Sequence, residues 1–268
     1  MCYSAMVKRD MDALRKKFGP ILVRSDEPLW YEQMHEKNPK LFPKVAERIY
    51  SGRFAPVVHR DGRGNLTCEL MRYSAFPPAS IPDPSKLTTF NARRDNLRSP
   101  FWMECYGKGH GVVLLSGFFE WVAVKDLLAA GHVSLDEVTR GFERQKEERR
   151  ARIEASGKRY APTKTELVDP RLRKTIIQFT AESSEALVAP VIFNSGLLGG
   201  ERVQGFALVT DEPPPEVLAA GHDRCPILLE DDAWAAWLAP RGKTPKELDA
   251  LLGVQKKPRF VHSLDEAA

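Results

Sequence analysis

Residues 111–124 read GVVLLSGFFEWVAV. The run is almost continuously apolar, rich in β-branched and aromatic side chains, and too short for a membrane span, so it reads as a buried β-strand. Its one carboxylate, Glu120, stands between Phe119 and Trp121. Working outward, FAPVVHR (54–60), a DGRG turn (61–64) and NLTCELMRY (65–73) predict a hairpin. Further strand-like runs follow at TIIQF (175–179), LVAPVIF (187–193), GFALVT (205–210), CPILL (225–229) and RFVHSL (259–264). Helical signals interrupt them. Val7, Met11, Leu14 and Phe18 recur at helical spacing before Gly19-Pro20, predicting a first helix from Ala5 to Phe18. Short helices are expected at Glu216–Ala220, closed by Gly221, at Asp232–Leu238, and from Pro245, where Thr244 and Glu247 form a capping box. Strands and helices without regular βαβ alternation predict an α+β fold: a single domain over 1–268 with a curved, mainly antiparallel, barrel-like sheet flanked by helices. The stretch 125–164, dense in interleaved acids and bases, reads as an inserted helical excursion with a solvated face.

The chain has 268 residues, 43% hydrophobic and 28% charged, enough to bury a sizeable core. No apolar run reaches the roughly 18–20 residues of a membrane span. Charges from Lys8 onward break any signal-peptide pattern, so a cytoplasmic protein without a membrane association is expected. Four widely spaced cysteines, Cys2, Cys68, Cys105 and Cys225, form no CxxC pair; reduced thiols are expected, with no structural metal and no cofactor. A formal charge of +4 permits an acidic partner without requiring one.

Four places carry chemistry. Removal of Met1 turns Cys2 into a 1,2-aminothiol. With ordinary pKa values of roughly 8 and 8.5, about a tenth of its amine and a few per cent of its thiol are nucleophilic near pH 7. Such a pair captures an aldehyde as a Schiff base and closes a thiazolidine, or its thiol attacks an acyl carbon; the alternative is an ordinary cysteine after the start codon. Glu120, if buried, has its pKa raised toward a useful acid/base value, unless it forms a structural ion pair with an arginine. In TTFNARRDN (88–96), Asn91 either orients a reacting group or occupies a turn beside solvated arginines. In AAGHDRCPILL (219–229), His222 sits on a connection between elements, either facing a cleft or bonded to backbone.

Met-Cys, Asn-Ala-Arg, Gly-Phe-Phe-Glu-Trp and His-Asp-Arg-Cys-Pro, in that order, closely resemble the motifs of the SRAP family, the SOS-response-associated peptidases also described as abasic-site processing proteins. The resemblance runs from Cys2 to about Leu238 apart from 125–164, and MRYSAFPP (71–78) resembles the family's Arg-Trp-Gly-Leu-Ile-Pro segment. It implies a protein that binds single-stranded DNA and traps abasic sites covalently, with DNA–protein crosslinking and lyase-like activity and autocatalytic removal of Met1. By that resemblance Cys2 is the crosslinking nucleophile, Asn91 orients it, Glu120 assists ring opening and proton transfer, and His222 is an acid/base near the sugar. Arg93 and Arg224 would hold phosphates, and Arg72, Tyr73 and Trp121 would form the DNA surface. The implied partner is single-stranded DNA containing abasic sites, met by a monomer in the cytoplasm, at the nucleoid of a bacterium or in a phage-infected cell. The chain departs from the family at Tyr3 and Ser4, where Gly-Arg is usual, at Tyr73 in place of tryptophan, and at Cys225 in place of methionine. Two other functions fit the residues: an N-terminal-cysteine amidohydrolase, and a noncatalytic single-stranded nucleic-acid-binding module.

Overall fold

The computed structural model describes residues 3–23, 27–81, 87–131, 133–183, 185 and 187–265. The strands are β1 (Ser4–Val7), β2 (Leu22–Val23), β3 (Arg48–Ile49), β4 (Phe54–Arg60), β5 (Leu66–Tyr73), β6 (Asn91–Arg93), β7 (His110–Ala123), β8 (Lys174–Ala181), β9 (Leu187–Leu198), β10 (Glu201–Asp211), β11 (Cys225–Pro226) and β12 (Phe260–Leu264). The helices are α1 (Met11–Phe18), α2 (Glu27–Lys37), α3 (Val124–Ala129), α4 (Leu135–Ala155), α5 (Pro215–Ala219), α6 (Asp231–Trp237) and α7 (Pro245–Gly253).

The strand that decides the fold is β7. Its first half pairs with β4 and β9 and its second half with β1 and β8, all antiparallel. It is buried on both faces because one apolar cluster takes Val113, Leu115 and Phe118 and the opposite cluster takes Val112 and Leu114, which explains the loss of period-2 alternation in its sequence. β9 continues to β10, β10 runs parallel to β5, and β5 returns antiparallel to β4, so β4, β5, β10, β9 and β7 form a closed circuit. The second half of β7 leaves this barrel and carries β8 and β12 on one side, β1 and β3 on the other. One apolar cluster includes Tyr73, Leu115, Phe118, Phe179 and Phe206. The opposite cluster packs Leu14, Trp102, Leu114 and Trp237 under α1, α6 and α7.

The hairpin, the late strands and the capping box of α7 stand as the sequence predicts, with Thr244 Oγ1 accepting from the Glu247 amide and Glu247 accepting from the Thr244 amide. CPILL contributes only a two-residue strand. The N-terminus is a correction. Ala5–Val7 do not belong to the first helix; they form β1, whose residues Ala5 and Val7 are buried against β7 and β3. The helix starts at Met11 because the Asp10 carboxylate accepts from the Asp12 and Ala13 amides. Over 125–164 the chain forms most of α3 and the whole of α4, which opens on a Ser134–Glu137 capping box. Val138 and Phe142 of α4 pack with Val124 in a separate small cluster.

Candidate active site

The site starts from Glu120, near the end of β7. Phe118 and Glu120 share one buried face of the strand and Phe119 is buried on the other, while Trp121 turns outward and is 44% exposed. Burial raises the Glu120 pKa above the ordinary carboxylate value; the imidazole of His222 and the backbone amide of Tyr3 offset this in part. His222 reaches it because Gly221, at φ +89°, ends α5 with a sharp reversal and lies close to Asp126. The contact is His222 Nε2 to Glu120 Oε2 at 2.9 Å. On the other side of the ring, His222 Nδ1 lies 2.8 Å from the Arg224 carbonyl oxygen and 3.3 Å from the Arg224 amide nitrogen, so the backbone of Arg224 holds the ring in place. At 2.9 Å the contact between Nε2 and the carboxyl oxygen is a hydrogen bond bridged by one proton. Glu120 Oε1 is buried and has no hydrogen-bond partner among the described residues. A buried oxygen of that kind is suited to a substrate hydroxyl.

Antiparallel pairing brings the chain's start to this point. Ser4 lies opposite Phe119, and the Tyr3 amide donates to the Phe119 carbonyl at 3.0 Å. Arg48, which the sequence does not single out, locks this edge: Nε donates to Ser4 Oγ at 3.1 Å and Nη1 meets Asp265 at 2.6 Å. Its guanidinium lies 3.6 Å over the Phe119 ring. Nothing in AERIY (46–50) marks this role, because it depends on the pairing of β1 with β3. Cys2 and Met1 lie outside the described residues.

Asn91 is neither a turn residue nor solvated. It opens β6, is 4% exposed, and its Oδ1 accepts from the Tyr73 hydroxyl at 3.0 Å. Tyr73 itself is a correction: it is fully buried, stacked on Phe206, and does not belong to any DNA-contacting surface. Its part in the site is to hold Asn91. Arg72 is half-buried and borders a shallow cleft of about 330 Å³ with Lys40 and Arg53. Arg93 is exposed and pairs with Asp95 at 2.5 Å; Arg224 lies near enough to help lower the Asp95 pKa. These two arginines share the rim beyond His222, whereas Arg72 faces a different cleft.

The remaining cysteines do not compete as nucleophiles. Cys68, Cys105 and Cys225 are buried and free, and burial pushes the first two thiols up to about 12 and Cys225 in the same direction. Among the described residues no group of His, Cys, Asp or Glu is arranged to hold a metal ion, and no helix is long and apolar enough to cross a membrane.

A family model described as SOS response associated peptidase matches residues 1–263. Among solved structures, a protein from Bordetella bronchiseptica is 14% identical, with a TM-score of 0.60 over 98% of this chain and 99% of that one. A protein from Bacteroides thetaiotaomicron is also 14% identical, with a TM-score of 0.59 over 98% and 91% of the two chains. A phage-related protein from Bordetella bronchiseptica is 16% identical, with a TM-score of 0.52 over 86% and 89%. At these identities they share the fold alone, a mixed α+β domain with a large curved sheet. No curated protein matches the sequence.

Proposed function

The chain belongs to the SOS response associated peptidase family, and from that premise we propose that it captures abasic sites in single-stranded DNA through Cys2 once Met1 is removed. Membership supports a DNA-damage-associated role in general. The observation that carries the finer reading is the buried Glu120–His222 pair, sharing one proton at 2.9 Å, beside the Tyr3 amide to which Cys2 is bonded.

Hydrolysis of the Met1–Cys2 bond consumes one water and leaves an α-amine beside a thiol. An abasic deoxyribose in its ring-opened form presents an aldehyde carbon. The Cys2 amine adds to that carbon, the resulting hydroxyl leaves as water, and an imine remains. The thiol sulfur then adds to the imine carbon and its proton passes to nitrogen, closing a five-membered thiazolidine. One water is released, and nothing is oxidised or reduced. Glu120, whose pKa burial raises, donates to the sugar ring oxygen as it opens, and the proton released by the anomeric hydroxyl passes through His222 Nε2 back to the carboxyl group; Glu120 then donates to the departing hydroxyl and is re-protonated by the proton that nitrogen releases. Asn91, held by Tyr73, positions the amine. Arg93 and Arg224 hold phosphates and Trp121 stacks a base, so binding is independent of sequence and weakens with salt.

Intact-mass measurement tests this. The processed protein is incubated with abasic and with intact single strands. A species at the mass of protein plus oligonucleotide less one water, formed only with the abasic strand and lost in Cys2→Ala, is the expected result. Turnover of amide substrates without an adduct would identify an N-terminal-cysteine hydrolase. DNA binding untouched by Cys2→Ala, with no adduct, would identify a noncatalytic binding module.

A further inference from the structure

The helix α4 and the loop that follows it frame a cleft of about 220 Å³ beside Trp121, and we infer that this cleft takes a further nucleotide of the bound single strand, its phosphates on Lys146 and Lys174. The inference rests on the DNA reading above and assigns a role to a segment that the site does not use.

The floor of the cleft is set by strand register. Trp121 of β7 lies opposite Ile176 of β8, and Lys174 stands two residues before Ile176 on the same face of that strand. The half-exposed indole is therefore at the mouth of the cleft, and the Tyr3 ring meets it edge to face, ring centres 5.5 Å apart, on the side toward the N-terminus. Tyr50 extends the ledge, 5.6 Å from Tyr3. Three aromatic rings thus lead from the start of β1 to the cleft. A single strand stacks on such a surface without regard to base identity.

The walls include two arginines that already bind protein groups. Arg149 binds both oxygens of Glu166, at 2.9 and 3.1 Å, and lies over Tyr160. Arg173 donates to the carbonyls of Val168 and Glu166 and covers the Phe142 ring. These contacts hold the loop against α4. Among the described residues Glu166 is the one carboxylate lining this cleft, and it is neutralised by Arg149, whereas Lys174 is exposed and Lys146 reaches it from α4, paired with the solvated Glu143. The cleft therefore carries a net positive charge beside a stacking aromatic. A larger cleft on the other side of α4, about 550 Å³, lacks the aromatic ledge: it too carries arginines, Arg140 and Arg144, with Asp265 already paired to Arg48, but in its described lining Phe142 is buried and there is no Trp or Tyr. Charge complementarity and the aromatic ledge together select a polyanion with stackable bases. The interleaved charges of 136–159, which in sequence suggest only a solvated face, are sorted by the helix so that this side is basic.

Binding of abasic oligonucleotides of three kinds tests the inference: a short strand of five nucleotides centred on the abasic site, and strands extended by eight nucleotides on the 5′ or the 3′ side. One extension should tighten binding to wild type. The double variant Lys146→Glu, Lys174→Glu, both changes at solvated positions, should lose about tenfold on that extended strand alone. Its salt slope should fall by about 1.4, two phosphates at roughly 0.7 each for a single strand. Adduct formation on the short strand should keep the wild-type rate, and unchanged thermal melting would show that the fold is intact. Equal losses on all three strands, or no loss on any, overturns the inference. So does a wild-type protein that captures the short abasic strand yet gains nothing from either extension, which leaves the capture reading standing. A wild-type protein that binds no oligonucleotide overturns both.

Discussion

At the residue scale the site turns on one carboxyl group. The Glu120 pKa is raised because burial penalises the carboxylate more than His222 and the Tyr3 amide favour it. Folding therefore favours the protonated form. The stability this carboxyl contributes is full at pH below the ordinary glutamic acid value and is lost as pH rises through its raised folded-state value. Glu120→Gln keeps the volume and removes the titration. The variant should melt above wild type at pH 7.5, by roughly 2–4 °C for each kcal/mol released, and the two should converge near pH 4. Calorimetry across that range checks it, and parallel pH profiles would mean that the carboxyl titrates normally. The same variant should form adduct 10²–10⁴-fold more slowly, roughly the worth of a general acid. The Tyr73 hydroxyl is a second single-atom test. Tyr73→Phe removes the donor to Asn91 and should cost about 1 kcal/mol of stability, slow capture and leave DNA affinity unchanged, because the ring is shielded from any ligand. Weaker DNA binding with a normal capture rate would mean that Asn91 needs no such support.

At the scale of elements, β7 decides both fold and site. Its continuous apolar run is legible in the sequence because burial on both faces leaves no other pattern. The four residues of β1 are not legible: Val7 falls by coincidence into phase with Met11, Leu14 and Phe18, and only pairing with β7 and β3 reveals the strand. The three-residue β6 is likewise too short to have a period, so Asn91 reads as a turn residue although it lies buried beside β10. The pairing of β1 with β7 skips Ser116, since Met6 faces Gly117 and Val7 faces Leu115. This bulge re-aims the end of β7 four residues before Glu120. Gly117 lets β8 close in at this point: a Cβ there would lie 2.6 Å from the Phe179 carbonyl oxygen. Gly117→Ala must push two strand backbones apart, and should cost about 1–3 kcal/mol and slow capture by displacing Glu120. Gly141 is the contrasting case. It is helical with nothing within 4 Å of an added Cβ, so Gly141→Ala should stabilise by roughly 0.5–1 kcal/mol. Urea unfolding of the two variants checks the pair, and a matching sign would undo the argument.

At the scale of the whole molecule, residues far apart in sequence meet because β7 belongs both to the closed circuit of strands and to the layer outside it. Glu120 on β7 and His222 after α5 are a hundred residues apart; the order of the motifs is readable from the sequence, whereas their distance is set by the pairings of β1, β6 and β11 with β7 and β10. The barrel shares its two large apolar clusters among most elements, while Val138 and Phe142 of α4 pack in a small cluster with Val124. Few buried groups tie α4 down, and its outer face is solvated charge, so it should open without the barrel. Native-state hydrogen exchange should show α4 amides protected by a smaller free energy than those of β10. Phe142→Ala removes the larger of the two anchors and should speed exchange in α4 by about 10–100-fold, a loss of roughly 1.4–2.7 kcal/mol, while β10 keeps its rates. The same opening would loosen the wall that Arg173 forms over Phe142, so the variant should also lose affinity for the extended oligonucleotide and keep capture of the short one. Exchange that accelerates equally in α4 and β10 would show that the segment is an integral part of the barrel's cooperative unit, and the separation between site and insertion would fail.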